Sequence, residues 1–96
     1  MNIKPDLTVI LDLIQALRQL DKDNKLSMVH VHGATKLNFQ INLNDHVWAQ
    51  IWRQGDGTIR YDLNNLKANL YIGGCSVTDT TLSAEAIYTF LTTEIA

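Results

Sequence analysis

The sequence predicts an α+β fold, a two-layer sandwich with an N-terminal helix, a four- to five-stranded antiparallel sheet and a C-terminal helix. Three observations predict it. Apolar residues repeat with helical spacing near both ends of the chain, and they alternate with polar residues in between. The 96 residues are enough for one domain, and the sequence shows no linker or internal repeat. We therefore expect a single domain over residues 1–96, with both helices on one face of the sheet.

The first helix is predicted from about Pro5 to Leu20. Proline suits the first turn of a helix, because the N–H that it lacks would have no partner there. The apolar positions follow the spacing of a single helix face and comprise Leu7, Ile10, Leu11, Ile14 and Leu17, widened by Leu13 and Leu20. Residues 21–25 are polar without periodicity, so they are predicted to be the turn that follows.

Two strands are predicted next, over residues 26–32 and 36–43. The second alternates strictly, with apolar Leu37, Phe39, Ile41 and Leu43 on one side and polar Lys36, Asn38, Gln40 and Asn42 on the other. Alternation with one polar side is typical of an antiparallel sheet that has one face in water. We expect the apolar side to pack against the helices.

A hairpin is predicted from strands over Val47–Arg53 and 58–63. A three-residue loop over residues 55–57 would put Gly57 in the left-handed position of a G1 bulge. That loop places apolar residues of both strands together, namely Val47, Ala49, Ile51, Ile59, Tyr61 and Leu63. A loop of two or four residues would instead place the tryptophans with Ile59 and Tyr61. We favour the three-residue loop because it keeps Arg60 and Asp62 out of the core.

The rest of the chain is predicted to form a polar link from Asn64 and Asn65, a fifth strand and the last helix. Gly73 and Gly74 interrupt the fifth strand, and two glycines inside a strand indicate a bulge. The helix is predicted over about residues 83–94, with Thr81 or Ser83 as its N-cap. Its buried face is expected to comprise Ala84, Ile87, Tyr88, Leu91 and Ile95.

Composition excludes several classes of protein. Eight Lys and Arg against ten Asp and Glu give a net charge of −2, which argues against a nucleic-acid partner. The lone Cys75 excludes an intramolecular disulfide and a cysteine-rich zinc site. No apolar run is long enough to span a bilayer and no signal-peptide pattern is present, so we expect a cytoplasmic protein without a membrane partner.

No enzyme motif is present, so we expect neither catalytic residues nor a cofactor. One alternative is a metal or small-ligand site centred on His30 and His32, which share one face if their strand is regular. His46 is the third histidine of the chain and a candidate third ligand. Two solvated histidines that bind nothing would give the same pattern.

Trp48, Gln50 and Trp52 share one side of a predicted strand, with Arg60 on the next strand. Either this side is the open face of the sheet, where tryptophan and arginine are typical of protein-binding hot spots, or both tryptophans pack under the helices as core. On the first reading the protein is a small non-enzymatic protein-binding domain that occupies a partner's surface, alone or as a homodimer. Inhibitors, immunity-type proteins and phage-encoded blockers share this size class.

Overall fold

The computed structural model describes residues 5–30 and 38–93. Its elements are α1 (Pro5–Leu20), β1 (Ser27–His30), β2 (Asn38–Asn42), β3 (Val47–Arg53), β4 (Ile59–Asn65), β5 (Leu70–Ser76) and α2 (Thr80–Thr92). The strands form one antiparallel sheet in the order β1-β2-β3-β4-β5, so each strand pairs with its neighbours in the chain. The predicted α+β two-layer fold is confirmed.

α1 has the predicted bounds, but its buried face differs from the prediction in one respect. Ile10, Leu13, Ile14 and Leu17 are buried, whereas Leu11 is exposed. Leu11 follows Ile10 by about 100° around the helix, which turns it away from the stripe that these four residues form. Leu20 lies at the exposed end of the helix. The side chain of Leu7 lies outside the described part of the chain.

The core lies between the two helices and one face of the sheet. The alternation of β2 is confirmed where it is described: Ile41 is fully buried, and Phe39 and Leu43 pack against the core. Leu37 lies outside the described residues. The sheet adds six further buried residues, Val47, Ala49, Ile51, Ile59, Tyr61 and Leu63, and α2 adds Ala84, Ile87 and Leu91. Burial of these side chains is the main stabilising contribution to the fold.

The three-residue hairpin loop is confirmed. Gln54 N donates to Thr58 O at 2.8 Å, and Gly57 N donates to Gln54 O at 2.9 Å. Gly57 has φ 92°, the left-handed conformation that a G1 bulge requires and that glycine adopts without strain. This loop sets the register in which Ile51 faces Tyr61 and Trp52 faces Arg60.

Two boundaries differ from the sequence prediction. β4 continues through Asn64 and Asn65 rather than ending at Leu63, and the buried Asn65 accepts a hydrogen bond at Oδ1 from Ala68 N at 3.0 Å. α2 begins at Thr80 because Asp79 is its N-cap, with a carboxylate that accepts from Leu82 N at 3.0 Å. Ser83, a predicted N-cap, is instead buried inside the helix. Glu94 and Ile95 lie outside the described residues.

Candidate interaction surface on the open sheet face

The tryptophans lie on the side of the sheet that faces away from the helices. Along β3 the buried residues Val47, Ala49 and Ile51 alternate with the half-buried Trp48, Gln50 and Trp52. The buried set belongs to the core shared with α1 and α2. The second set therefore defines what we name the open face, and the interpretation of the tryptophans as core residues is wrong for this structure.

The register of the sheet arranges the open face in three rows. Trp48 lies between Asn42 and Asn64, Gln50 between Gln40 and Asp62, and Trp52 between Asn38 and Arg60. The two tryptophans are four residues apart on β3, or about 13 Å. Each tryptophan is thus flanked by polar side chains of both neighbouring strands, and most of these side chains are uncharged amides.

The charged residues of the open face hold the bulge of β5. Arg60 Nη1 donates to Gly74 O at 3.1 Å, and Gly74 N donates to Asp62 Oδ1 at 2.8 Å. The pairing between β4 and β5 shifts register between Tyr61 and Leu63, next to these bonds. Gly74 has φ 68°, a conformation that favours glycine. The predicted bulge is confirmed, and it occupies hydrogen-bonding groups of both Arg60 and Asp62.

Tyr71 is a third aromatic residue on this face, which the sequence analysis missed. Tyr71 pairs with Asn64, so it extends the row of Trp48 to the edge of the sheet. Its ring covers Gly73, where any side chain would collide with it. The negative charge of Asp62 raises the pKa of Tyr71 above its ordinary value, with smaller contributions from desolvation and from a hydrogen bond to Asp62. The bulge hides this position from simple alternation.

A groove of about 650 Å³ adjoins Trp48, where the open face meets the loop after α1. Its lining includes Lys25, Ser27, Gln40, Asn42, Asp45 and Trp48. Gln40 Nε2 donates to Asn42 Oδ1 at 2.8 Å, which fixes the relative positions of these two amides. Trp48 therefore stands beside a recess lined by both polar and apolar groups, Leu26 and Leu43 among the latter, whereas Trp52 lies toward the hairpin loop.

The histidines do not come together in the part of the chain that is described. The backbone of His30 pairs with Phe39, which pairs with Ile51, whereas His46 is exposed just before Val47. Five residues along the strand direction, from Ile51 to His46, or about 17 Å, therefore separate the two positions. The His30 side chain and all of His32 lie outside the described residues. The described residues contain no group of three or more His, Cys, Asp or Glu that could hold a metal ion.

Comparison with protein-family models, curated proteins and solved structures found no match to this chain. Within residues 5–30 and 38–93, neither helix combines the length and the apolar character needed to cross a membrane. The class that the fold and surface define is an α+β domain with helices on one sheet face and an aromatic, amide-rich surface on the other. The open face is therefore the feature of the molecule that bears on its function.

Proposed function

We propose that this protein is a non-enzymatic protein-binding domain that docks through the open face, with Trp48, Gln50, Trp52 and Arg60 in the contact. The observation that carries the proposal is the position of Trp48 and Trp52, which are partly exposed on the side of the sheet opposite both helices. The protein acts by occupying a partner's surface, as small inhibitors and immunity-type proteins do.

The core supports this assignment because it is complete without the tryptophans. Residues from five elements fill it, and the fully buried side chains are all aliphatic, as for Ile41, Ile51 and Leu91. Trp48 and Trp52 thus lie, partly exposed, on a side of the sheet that the hydrophobic core does not use. Rings of this kind, with Arg60 beside Trp52, are typical of the few residues that carry most of the energy of an interface.

The partner's surface is expected to be uncharged where it meets the open face. Among the described residues of β2, β3 and β4 on this face, Arg60 is the one cation and Asp62 the one anion. Both already hold Gly74. The amides of Gln50 and its neighbours can donate and accept hydrogen bonds without adding charge. A nucleic acid would need more basic side chains than this face offers, since phosphate contacts dominate its binding.

A binding comparison between two variants tests the proposal. The partner is captured from a lysate of the native host on immobilised protein, identified by mass spectrometry and purified for calorimetry. We expect Trp52→Ala to weaken binding by about 2 kcal/mol or more, roughly thirtyfold. Leu82→Ala is the matched control, because Leu82 is 66 % exposed on α2, on the other side of the sheet. Equal affinities of wild type, Trp52→Ala and the control would contradict the proposal.

A further inference from the structure

The edge strand β5 carries exposed apolar side chains on both faces of the sheet, with Tyr71 on the open face and Leu70 and Ile72 on the other. Leu70, Tyr71 and Ile72 are 43 %, 66 % and 46 % exposed, and Leu66 in the preceding turn is 59 % exposed. β5 is the last strand in the sheet order, and no described segment pairs with its outer side. Its sequence contains neither a charged residue nor a proline, which are common means of protecting a strand edge.

The hydrogen-bond pattern shows which backbone groups of β5 point outward. Val77 N donates to Ile59 O, so Ile59 bonds to the β5 side of the ladder. In an antiparallel pair, every second residue of a strand directs its backbone N–H and C=O groups toward the same neighbouring strand. The backbone groups of Tyr61, Leu63 and Asn65 therefore also point toward β5. Their partners include Ile72 and Leu70, whereas Tyr71 pairs with Asn64. The N–H and C=O groups of Tyr71 therefore face away from the sheet and are free to pair with another strand.

We propose that a second copy of this chain pairs antiparallel with β5, about a two-fold axis at Tyr71. In this register Leu70 lies opposite Ile72 of the second copy, and Tyr71 lies opposite its own equivalent. The segment Leu70-Tyr71-Ile72 is self-complementary, because the axis exchanges two aliphatic residues of similar size. The bulge at Gly74 ends the regular strand, so the contact is short. The two sheets join into one of ten strands.

Charge and area favour a second copy as the occupant. In this register Lys67 lies close to Cys75 of the second copy, so no like charges face each other across the contact. The middle of the contact is uncharged. Complete burial of the four exposed apolar side chains would cover roughly 400 Å² per copy, or about 800 Å² for both, which is at the weak end of protein interfaces. A reversible dimer is therefore expected.

Sedimentation equilibrium over micromolar to near-millimolar concentrations tests the dimer. We expect the wild type to show a monomer–dimer equilibrium and Tyr71→Lys to weaken it about tenfold or more, because two like charges then lie directly opposite each other. Leu82→Lys adds the same charge at a side chain that is equally exposed, 66 %, but lies on α2, and it should dimerise as the wild type does. A wild type that stays monomeric, or a dimer that Tyr71→Lys leaves unchanged, would overturn the proposal.

A cross-linking experiment tests the register even if Tyr71→Lys folds poorly. In a background of Cys75→Ala, we expect Tyr71→Cys to form an intermolecular disulfide on mild oxidation, since facing bonded residues have Cα atoms about 5.5 Å apart. Leu82→Cys in the same background controls for random collision, and equal cross-linking of both would overturn the register. Trp52→Ala should leave the dimer intact. The proposed dimer and the proposed partner site can therefore be contradicted independently of each other.

Discussion

The carboxylate of Asp62 accepts a hydrogen bond from Gly74 N at 2.8 Å, and this bond joins the open face to the bulge of β5. The same carboxylate is the main reason that the pKa of Tyr71 is raised. Asp62 therefore links three features: the polar row of Gln50, the position of the edge strand and the ionisation of the tyrosine at that edge.

Asp62→Asn should lower the pKa of Tyr71 toward its ordinary value of 10.0, because the negative charge is removed while an acceptor oxygen remains. Because the pKa of Tyr71 is higher in the folded than in the unfolded chain, its protonated form stabilises the fold below pH 10. This stabilisation is lost as the pH rises through the pKa of Tyr71 in the folded protein. Ultraviolet absorbance titration measures the change, and Tyr71→Phe identifies which transition belongs to Tyr71. An unchanged titration in Asp62→Asn would show that Asp62 does not act on Tyr71.

Trp52 and Ile51 are neighbours in β3 but should respond very differently to truncation. Ile51 is fully buried, so Ile51→Ala should lower the free energy of unfolding by about 2–5 kcal/mol. Trp52 is half-buried on the open face, so Trp52→Ala should cost about 1 kcal/mol. Urea unfolding followed by circular dichroism measures both. Unfolding of Trp52→Ala at as low a urea concentration as Ile51→Ala would assign Trp52 to the core.

The side of the sheet on which the tryptophans lie could be predicted from one residue count. With three residues in the hairpin loop, Tyr61 lies on the same face of the sheet as the apolar residues of β3, and Trp52 lies on the opposite face with Arg60. The structure has this register. A change of one residue would have moved every side chain of β4 to the other face. Segregation of apolar and polar residues was therefore enough to choose the loop and the register, while the sequence left open whether the tryptophans lie on the open face or in the core.

Features that depend on irregular backbone could not be predicted in the same way. The contacts of Arg60 and Asp62 with Gly74 exist only because β5 bulges there, and alternation carries no information across a bulge. The start of α2 was missed because Asp79, Thr81 and Ser83 are all suitable N-caps, and residue type alone does not choose between them. The sequence places Leu11 on the buried face of α1 because the spacing of apolar residues does not show where the centre of the buried face lies.

Metal analysis of the purified protein should find no stoichiometric ion, in keeping with a non-enzymatic binding domain. Replacing both His30 and His32 with glutamine should then change the free energy of unfolding by no more than about 0.5 kcal/mol, as at an exposed surface site. Elemental analysis and thermal unfolding provide the two measurements. A bound ion that is lost in the double variant, together with a large fall in melting temperature, would favour the alternative of a metal site.

Intrinsic fluorescence should report on the open face alone, because Trp48 and Trp52 are the two tryptophans of the chain. Both are half-buried, so we expect acrylamide to quench the native protein to an intermediate degree and the partner complex much less. Quenching without the partner should not depend on protein concentration, since the proposed self-association uses β5. A native emission already shielded from acrylamide would contradict an accessible face.

Binding of the captured partner should depend only weakly on salt. The open face has one cation and one anion among its described residues, Arg60 and Asp62, and both already bond to Gly74. Salt screens interactions between exposed charges but leaves apolar burial and amide hydrogen bonds largely unaffected. Calorimetry at low and high salt should therefore give dissociation constants within about threefold of each other, consistent with the modest role of exposed charge pairs. A nucleic-acid complex with roughly six to ten phosphate contacts would lose about a thousandfold or more over a roughly fourfold rise in salt. A dependence that steep would overturn the assignment of the open face to an uncharged protein surface.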